Sequence, residues 1–416
     1  MPPEPAARPA ARFAAQFAEK RSFVLLIAAI ATIGPFSMDT FLPSLPQLSE
    51  ALGATDVQAQ QSLSAYLLGF GIMSLWHGAI SDAVGRRPVI LVALAVYALA
   101  ALACTLAPTI EVLIGARLVQ GLFGGAGMIV SRAIVRDCYE GVQAQRLMAS
   151  VMLIFSIAPV IAPVLGGYLH EWFGWRSVFG FMLTGAVCLG IWTWRALPET
   201  HPPQYRTPLH AGTMLRTYAS VLGNREFMLL AGAIAFNFST FFVYVMASPA
   251  FILKHLQLTP TDFGVFFIPV VAGMMLGSTL SGRLAGRITV HRIGYAGFAL
   301  MAIGITVNVL LQWLLAPSLA PGRWLTAVSI APLFVTGVGQ SMITPSVQLL
   351  MMDLFPKNRG MVSSCQGFTQ VMLSTVTAGV IAPLVSDTAL HLALASAVYF
   401  ACGLSFWLLY SRVRRK

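Results

Sequence analysis

Charged side chains are scarce in this sequence. Asp, Glu, Lys and Arg together make up 10% of the 416 residues, whereas hydrophobic residues make up 57%. An average soluble protein carries about 25% charged residues, and a soluble fold of this length could not cover its surface with so few. The shortage argues against an enzyme with a large aqueous face and against a nucleic-acid-binding protein.

Several chemical motifs are missing as well. The sequence has no G-x-x-x-x-G-K-[ST] loop to hold phosphates, no H-E-x-x-H metal motif and no pair of histidines suited to haem. Its five cysteines are an odd number without C-x-x-C spacing, which favours neither a disulfide framework nor a zinc site. We therefore expect no catalytic residues, no metal and no bound cofactor.

Long apolar blocks are abundant instead, and a helix that crosses a bilayer needs about 20 apolar residues. Twelve blocks meet this length, at roughly 23–45, 57–79, 88–107, 110–132, 146–168, 175–195, 226–249, 261–282, 293–315, 324–350, 361–385 and 390–411. The sequence therefore predicts an all-α integral membrane protein with twelve transmembrane helices.

The net charge of +11 reflects topology. With the N-terminus inside, most of the 26 Lys and Arg residues fall in cytoplasmic loops, whereas Arg176, Lys254 and Arg323 lie outside. This asymmetry is the positive-inside pattern of membrane proteins, and it predicts cytoplasmic termini. A basic stretch before residues 23–38 resembles a signal peptide, but no A-x-A-like cleavage site follows, so we predict an uncleaved first span.

The chain divides near its middle. A polar, proline-containing stretch at 196–225 predicts a cytoplasmic linker between bundles at 23–195 and 226–411, with short cytoplasmic tails at 1–22 and 412–416. Residues 78–87 and 281–287 resemble each other, each placing glycine and arginine on a short loop. Such internal repeats are typical of transporters with a central site, although any short inner loop also attracts these residue types.

Asp39 is the only acidic residue well inside an apolar span. A charge within the bilayer costs at least about 2.5–3.5 kcal/mol, so such residues are usually functional. A carboxyl group removed from water favours its neutral form, which suits a group that takes up and releases protons. The alternative is a solvated, inert carboxylate at the outer interface, since Pro43 and Pro46 follow closely.

Arg117 is the only arginine within a span and lies at a similar depth to Asp39. Two isolated opposite charges at one depth can pair or share a water-filled cavity. The alternative is a structural arginine that bonds backbone carbonyls, and the sequence leaves both open.

Two further groups of residues stand out. In the fifth span, Pro159 and Pro163 predict a bent helix that packs closely through Gly166 and Gly167, with Gly273 and Gly277 of the eighth span as a matching small face. Polar residues inside spans predict an amphipathic cavity or simple interhelical hydrogen bonds; they are Tyr66, Asn237, Tyr244, Gln340, Gln366 and Gln370. Gly121, Gly124, Gly125 and Gly127 resemble a nucleotide fingerprint, but within an apolar span they favour helix packing.

Four segments resemble motifs of the major facilitator superfamily. Residues 78–90, with Gly78, Asp82, Gly85, Arg86 and Arg87, resemble its signature loop between spans two and three. Residues 117–121 resemble its fourth-span motif, residues 158–167 its antiporter motif, and residues 37–46 the first-span motif of drug:proton antiporters. Within the family, the chain is similar to the bicyclomycin- and chloramphenicol-resistance (Bcr/CflA) type, and residues 248–292 also to the MdfA type of multidrug antiporter.

The resemblance implies two pseudo-symmetric six-helix bundles that work by alternating access. It implies Asp39 as a protonation and substrate-coupling residue and Arg117 as a cavity or coupling residue. Asp82 would interlock the halves by facing the N-terminal end of the eleventh span near Gly360, which is favourable for a carboxylate. Arg86 would pair with Asp137.

Three positions depart from the family pattern. Ala83 replaces a basic residue that usually follows the aspartate, which puts one contact of the interlock in doubt. Ala158 and Ala162 stand where the antiporter motif often has glycine, which loosens the expected packing.

The sequence and the resemblance together predict a proton-coupled antiporter that exports small, largely apolar drugs across a bacterial inner membrane. We expect it to need no cofactor besides the proton gradient, to act as a monomer in the bilayer and to bind no nucleic acid. An exporter or symporter of one endogenous metabolite on the same fold is the alternative. A membrane-embedded enzyme or receptor is disfavoured because no catalytic constellation and no sizeable soluble domain occurs.

Overall fold

The computed structural model describes residues 21–139, 141–355 and 359–413, and these ranges are helical without any β-strand. The predicted tails at 1–22 and 412–416 lie mostly outside them. The α-helices are α1 (Arg21–Asp39), α2 (Leu45–Ala51), α3 (Asp56–Ser74), α4 (His77–Val84), α5 (Arg86–Thr105), α6 (Ile110–Gly124), α7 (Ala126–Cys138), α8 (Gly141–Phe173), α9 (Trp175–Ala196), α10 (Ala211–Leu222), α11 (Arg225–Met246), α12 (Phe263–Leu284), α13 (Val290–Leu310), α14 (Arg323–Leu354), α15 (Arg359–Val376), α16 (Ala382–Val385) and α17 (Ala389–Val413).

The helices account for the predicted spans in order. Among the described residues, ten helical segments are long and apolar enough to cross a membrane, and the pair α3 and α4 makes an eleventh if it forms one bent span. Helix α8, which is 33 residues long, occupies the place of the predicted fifth span. The all-α membrane fold expected from the apolar blocks is therefore confirmed.

The second span differs from its prediction. It starts at a capping box in which Thr55 and Gln58 bond each other's backbone N–H groups, but it breaks after Ser74 with a bend of 50° before α4. Gly78 and Asp82, expected on a tight turn, therefore lie on helix α4, and the turn is confined to Gly85. Gly85 has φ +112°, a conformation that glycine adopts without steric penalty.

The first and fifth spans both contain a proline inside a helix, Pro35 in α1 and Pro159 and Pro163 in α8, but the first span also has prolines where new helical turns begin. The first is a helix only to Asp39; a 3-10 turn at Leu42–Ser44 and the short helix α2 follow, each with a proline in its first turn. A proline there costs nothing because the first N–H groups of a helix lack partners anyway. Pro159 and Pro163 instead lie inside α8, which continues uninterrupted through both.

Two sets of contacts join the halves of the chain. Helix α3 packs on α15, and helix α8 packs on α12 and on the turn that precedes it. We call the end of the molecule that holds Gly85 and residues 196–225 the basic end, and the other the opposite end. At the opposite end, Gln60 Nε2 donates to the Met246 carbonyl at 3.0 Å and Ser64 Oγ to the Thr375 carbonyl at 3.4 Å.

The predicted linker contains helix α10. The Tyr218 hydroxyl on α10 donates to the Leu75 carbonyl at 2.7 Å. Leu75 lies at the break between α3 and α4, where the helical bonding is interrupted. Because α10 also packs on α15, the linker touches both halves at the basic end.

Candidate functional site

Asp39 is the last residue of α1 and is buried, with 4% of its surface exposed. Behind it, α8 approaches closely: a Cβ on Gly166 would lie 2.0 Å from the Thr40 carbonyl oxygen, so only glycine fits there. This burial disagrees with the interpretation of Asp39 as a solvated interfacial carboxylate. The carboxyl group is held inside the first half of the protein.

Arg117 lies in an enclosure of aromatic rings. Its side chain is fully buried, with the guanidinium carbon 4.4 Å from the ring centroid of Tyr66 and 5.1 Å from that of Phe41. Nη1 donates to Gln120 Oε1 at 2.6 Å, while Nε and Nη2 have no hydrogen-bond partner among the described residues. The interpretation that Arg117 bonds backbone carbonyls has no support there, and two of its donor groups are available to a ligand or water.

No ion pair joins Asp39 to Arg117 in the described part of the chain. Phe41 lies near both, since it follows Asp39 by two residues and its ring centroid is 5.1 Å from the Arg117 guanidinium carbon. The Tyr66 hydroxyl donates to the Gly34 carbonyl at 2.8 Å, five residues before Asp39. The structure therefore brings the two predicted coupling residues to one region around Tyr66 without placing them in contact.

Helices α1 and α5 are tied together in the same region. Ser37 and Tyr97 share a hydrogen bond. The first-span motif begins at Ser37, although no role was predicted for that residue, and no motif marked Tyr97.

The signature motif forms a cluster around Arg86 at the basic end. Arg86 Nε donates to Asp137 Oδ2 at 2.9 Å, Nη1 donates to Ser81 Oγ at 2.7 Å, and the same nitrogen contacts the Asp82 carboxylate. The pair of Arg86 with Asp137 that the resemblance implied is present. Gly78 packs against Ile129 of α7, so α4 lies flat on the fourth span.

Glu199 completes this cluster and was not recognised from the sequence. Its carboxylate accepts the backbone N–H groups of Arg86 at 3.0 Å and Arg87 at 3.3 Å. These are the first N–H groups of α5, which lack helical partners. Thr200 Oγ1 also donates to Asp137 Oδ2 at 3.2 Å. The available signal for Glu199 in the sequence was the segment Pro198-Glu199-Thr200, which directly follows the sixth span.

We expect Asp137→Asn to destabilise the protein more than Asp82→Asn. The Asp137 side chain is 16% exposed and the Asp82 side chain 47%. Loss of a buried partner of a charged group costs about 1–3 kcal/mol, whereas an exposed ion pair contributes about 0.2–1 kcal/mol. Thermal unfolding temperatures of both variants in one detergent check this order; a larger loss for Asp82→Asn would contradict it.

The expected interlock of Asp82 with the eleventh span is not formed in this conformation. The Asp82 carboxylate pairs with Arg86, and no hydrogen bond joins it to α15 in the described ranges. Gly360, at the start of α15, is exposed. The halves instead make their close contacts at the opposite end.

Gly167 of the fifth span lies at one of those contacts, whereas Gly166 faces Thr40 within the first half. A Cβ on Gly167 would lie 1.9 Å from the carbonyl oxygen of Pro260, which begins the eighth-span segment. The matching small face predicted for Gly273 and Gly277 was wrong, because both pack against the carbonyls of Phe334 and Val338 on α14. Small residues on a helix indicate that another helix packs closely there, but they do not indicate which helix it is.

The polar residues of the second half form two groups, and the first group consists of two hydrogen-bonded pairs. Asn237 Nδ2 donates to the Gln340 carbonyl at 3.4 Å, and the side-chain oxygens of both residues are buried without partners in the described structure. Tyr244 accepts a hydrogen bond from Asn308 at 2.7 Å.

The other group is a chain of amides between α14 and α15. Gln348 donates to Gln366 at 3.3 Å, and Gln366 donates to Gln370 at 2.9 Å. Gln366 and Gln370 lie four residues apart on one face of α15, where they bond each other. For Gln366, the structure shows the interhelical bonding that was the alternative to a cavity wall, whereas the bond of Gln370 stays within α15.

Comparison with known proteins extends these observations. The family pattern of the Major Facilitator Superfamily matches residues 25–383. An uncharacterized MFS-type transporter of Bacillus subtilis, YdgK, is 30% identical over 88% of this chain and 89% of its own. A bicyclomycin resistance protein homolog of Haemophilus influenzae is 26% identical over 88% and 90%, respectively. The multidrug transporter MdfA of Yersinia pestis is 27% identical over 81% of each chain.

A solved structure shows the same fold. The crystal structure of a D-xylose-proton symporter superposes with a TM-score of 0.73, at 14% identity, and covers 94% of this chain and 96% of that one. The resemblance to drug-resistance members of the family is confirmed by the relatives above, and secondary transport rather than catalysis follows from the family. The chain belongs to the Major Facilitator Superfamily of membrane transporters.

Proposed function

We propose that this protein is a proton-coupled antiporter that exports small, largely apolar drugs across the bacterial inner membrane. The observation that carries the proposal is the buried carboxyl of Asp39, in the same half of the protein as the buried Arg117 guanidinium, which lies over the Tyr66 ring. Relatives named for bicyclomycin resistance and multidrug transport support the substrate class. Both termini lie in the cytoplasm, and the basic end faces it.

The coupling scheme follows from the placement of these groups. Proton and substrate compete for the Asp39 region, so that substrate binding displaces the proton and reprotonation releases the substrate. Arg117 stabilises the ionised carboxylate and offers its unpartnered Nε and Nη2 groups to substrate or water. The protein works as a monomer of two six-helix halves, 23–195 and 226–411, joined by the linker at 196–225.

The proton gradient supplies adequate energy for this export. One proton that crosses about 100 mV yields about 2.3 kcal/mol, and a pH difference of one unit adds about 1.4 kcal/mol. Together these sustain a gradient of roughly several hundredfold for a neutral substrate exchanged one for one. No bound cofactor is needed.

The conformation described above is the inward-facing state in this scheme. The halves meet at the opposite end through Gln60, Ser64 and Gly167, while Asp82 is free of α15. In the outward-facing state, the Asp82 carboxylate moves to the N-terminal end of α15, where the helix dipole favours a negative charge. Arg86 then loses its ion pair with Asp82 and keeps its hydrogen bond to Asp137.

We expect Asp82→Asn to reduce drug flux severalfold while the protein still folds and inserts. Neutralising a carboxylate at a helix N-terminus removes about 0.3–1 kcal/mol, or up to about 2 if it is partly buried, which shifts a two-state equilibrium. Flux into proteoliposomes measures the effect, with Asp387→Asn, an exposed acid at the opposite end, as the matched control. Normal flux in Asp82→Asn would remove the interlock from the scheme.

A resistance profile in a bacterial host that lacks its own drug pumps tests the substrate class. We expect expression of the protein to protect against several chemically distinct apolar drugs, and those drugs to compete with one another for transport. Protection against none of them, together with transport of a single metabolite, would favour the endogenous exporter or symporter on the same fold.

A further inference from the structure

A groove open to the lipid lies between α5 and α9 on the outside of the first half. It has a volume of about 370 Å³. Leu94 and Ala98 form its floor and are 5% and 8% exposed, whereas Ile191 and Trp194 form a wall and are 47% and 60% exposed. The lining is apolar throughout, so the groove accepts a hydrocarbon chain.

The groove exists because one helix position lacks a side chain. Gly190 faces Leu94 across the groove, and a Cβ added at Gly190 would come no closer than 4.0 Å to the Leu94 Cβ. A Cβ therefore fits at Gly190 without a clash, and a larger side chain there would extend into the groove.

Two arginines lie at the basic end of this groove. Arg87 is four residues before Leu91 on α5, and Arg195 is four residues after Ile191 on α9, so each lies one turn beyond a lining residue on the same helix face. Arg87 Nη2 donates to the Trp194 carbonyl at 2.6 Å, while its Nε has no partner in the described structure. The side chain of Arg195 is exposed.

The acidic residue nearby forms no ion pair with these arginines in the described structure. The Glu199 carboxylate accepts the backbone N–H groups of Arg86 and Arg87 and that of His201. The groove thus ends at two guanidinium groups, of which that of Arg195 is exposed and that of Arg87 bonds the Trp194 carbonyl through one nitrogen.

We propose that this groove binds an anionic phospholipid, with one acyl chain between α5 and α9 and the phosphate at Arg87 and Arg195. Basic pockets between transmembrane helices on the cytoplasmic side are suited to anionic head groups, and guanidinium groups bind phosphate with two parallel hydrogen bonds. A zwitterionic lipid fits the groove equally well but gains less from the two positive charges. The proposal does not depend on which substrate the protein transports.

Quenching of Trp194 fluorescence tests the site. The intact protein and its Trp194→Phe variant are reconstituted with phosphatidylglycerol or phosphatidylcholine that carries the same brominated chains, and the difference between the two proteins isolates Trp194. We expect phosphatidylglycerol to quench Trp194 at a roughly tenfold or greater lower mole fraction, since each arginine near the surface contributes about fivefold.

Two variants locate the binding. Arg195→Gln should lower the preference for phosphatidylglycerol about fivefold, and Gly190→Leu should weaken quenching by both lipids because it fills the groove. Arg323→Gln, beside the exposed Trp324 at the opposite end, should change neither. Equal quenching by the two lipids in the intact protein, or a preference that is undiminished in Arg195→Gln, would overturn the proposal and leave only unspecific annular lipid.

Discussion

Asp39→Asn is expected to abolish uphill drug export driven by a pH gradient while substrate binding persists. Asparagine keeps the size of the side chain and part of its hydrogen bonding but cannot titrate. Asp39 is the only acid well inside an apolar span and is buried, so no second carboxyl at that depth replaces it. Neutral drugs should still equilibrate downhill through the variant.

The measurement compares accumulation against a gradient with equilibrium binding in the same preparations. Proteoliposomes are loaded with a neutral drug, a pH gradient is imposed, and uphill flux is followed for the unmodified protein, Asp39→Asn and the exposed control Asp387→Asn. The control should behave like the unmodified protein. If Asp39→Asn still concentrates the drug, the proton site lies elsewhere.

Arg117→Ala should abolish export or reduce it by at least an order of magnitude, and Arg117→Lys should restore it only in part. The guanidinium plane packs over the Tyr66 ring at 4.4 Å while Nη1 bonds Gln120 at 2.6 Å. Lysine keeps the positive charge but lacks the planar guanidinium group, which can pack on the Tyr66 ring and bond Gln120 at the same time. Alanine also removes a cation–π contact of about 0.5–2 kcal/mol and leaves a cavity in the aromatic enclosure.

Flux and binding in reconstituted protein distinguish coupling from simple stability. Gln120→Leu is the matched comparison, since it removes the one side-chain hydrogen bond that Arg117 makes among the described residues but keeps the arginine. It should bind drug and keep more flux than Arg117→Ala, because the guanidinium can remain over the Tyr66 ring. Equal activity of Arg117→Lys and the unmodified protein would reduce the role of Arg117 to its charge, and an active Arg117→Ala would remove it from the coupling scheme.

The span pattern and the buried charges were predictable from the sequence because both follow from the cost of polar groups in a bilayer. The apolar blocks predicted the order of the helices, and Asp39 and Arg117 stood out because each is a lone charge within its block. The break between Ser74 and His77 was not predictable, since this stretch has neither proline nor a charge. Its place depends on packing against the fourth span and on the Tyr218 contact at Leu75.

It was harder to predict which helices contact each other than where each residue lies along its own helix. Gly273 and Gly277 were correctly assigned to a close helix contact, but α14 rather than α8 makes it. Glu199 was one of several cytoplasmic acids in the sequence, and only the fold places its carboxylate at the first N–H groups of α5. Periodicity fixes which residues share a helix face, while the neighbour of that face is set by tertiary packing.

Proton release upon drug binding tests the central claim most directly. Purified protein in a weakly buffered detergent solution near neutral pH is mixed with a drug identified by the resistance profile, and a pH dye follows the protons. We predict that the unmodified protein releases protons in proportion to bound drug and that Asp39→Asn binds the drug without release. Binding without proton release by the unmodified protein, or equal release by Asp39→Asn, would contradict proton exchange at Asp39.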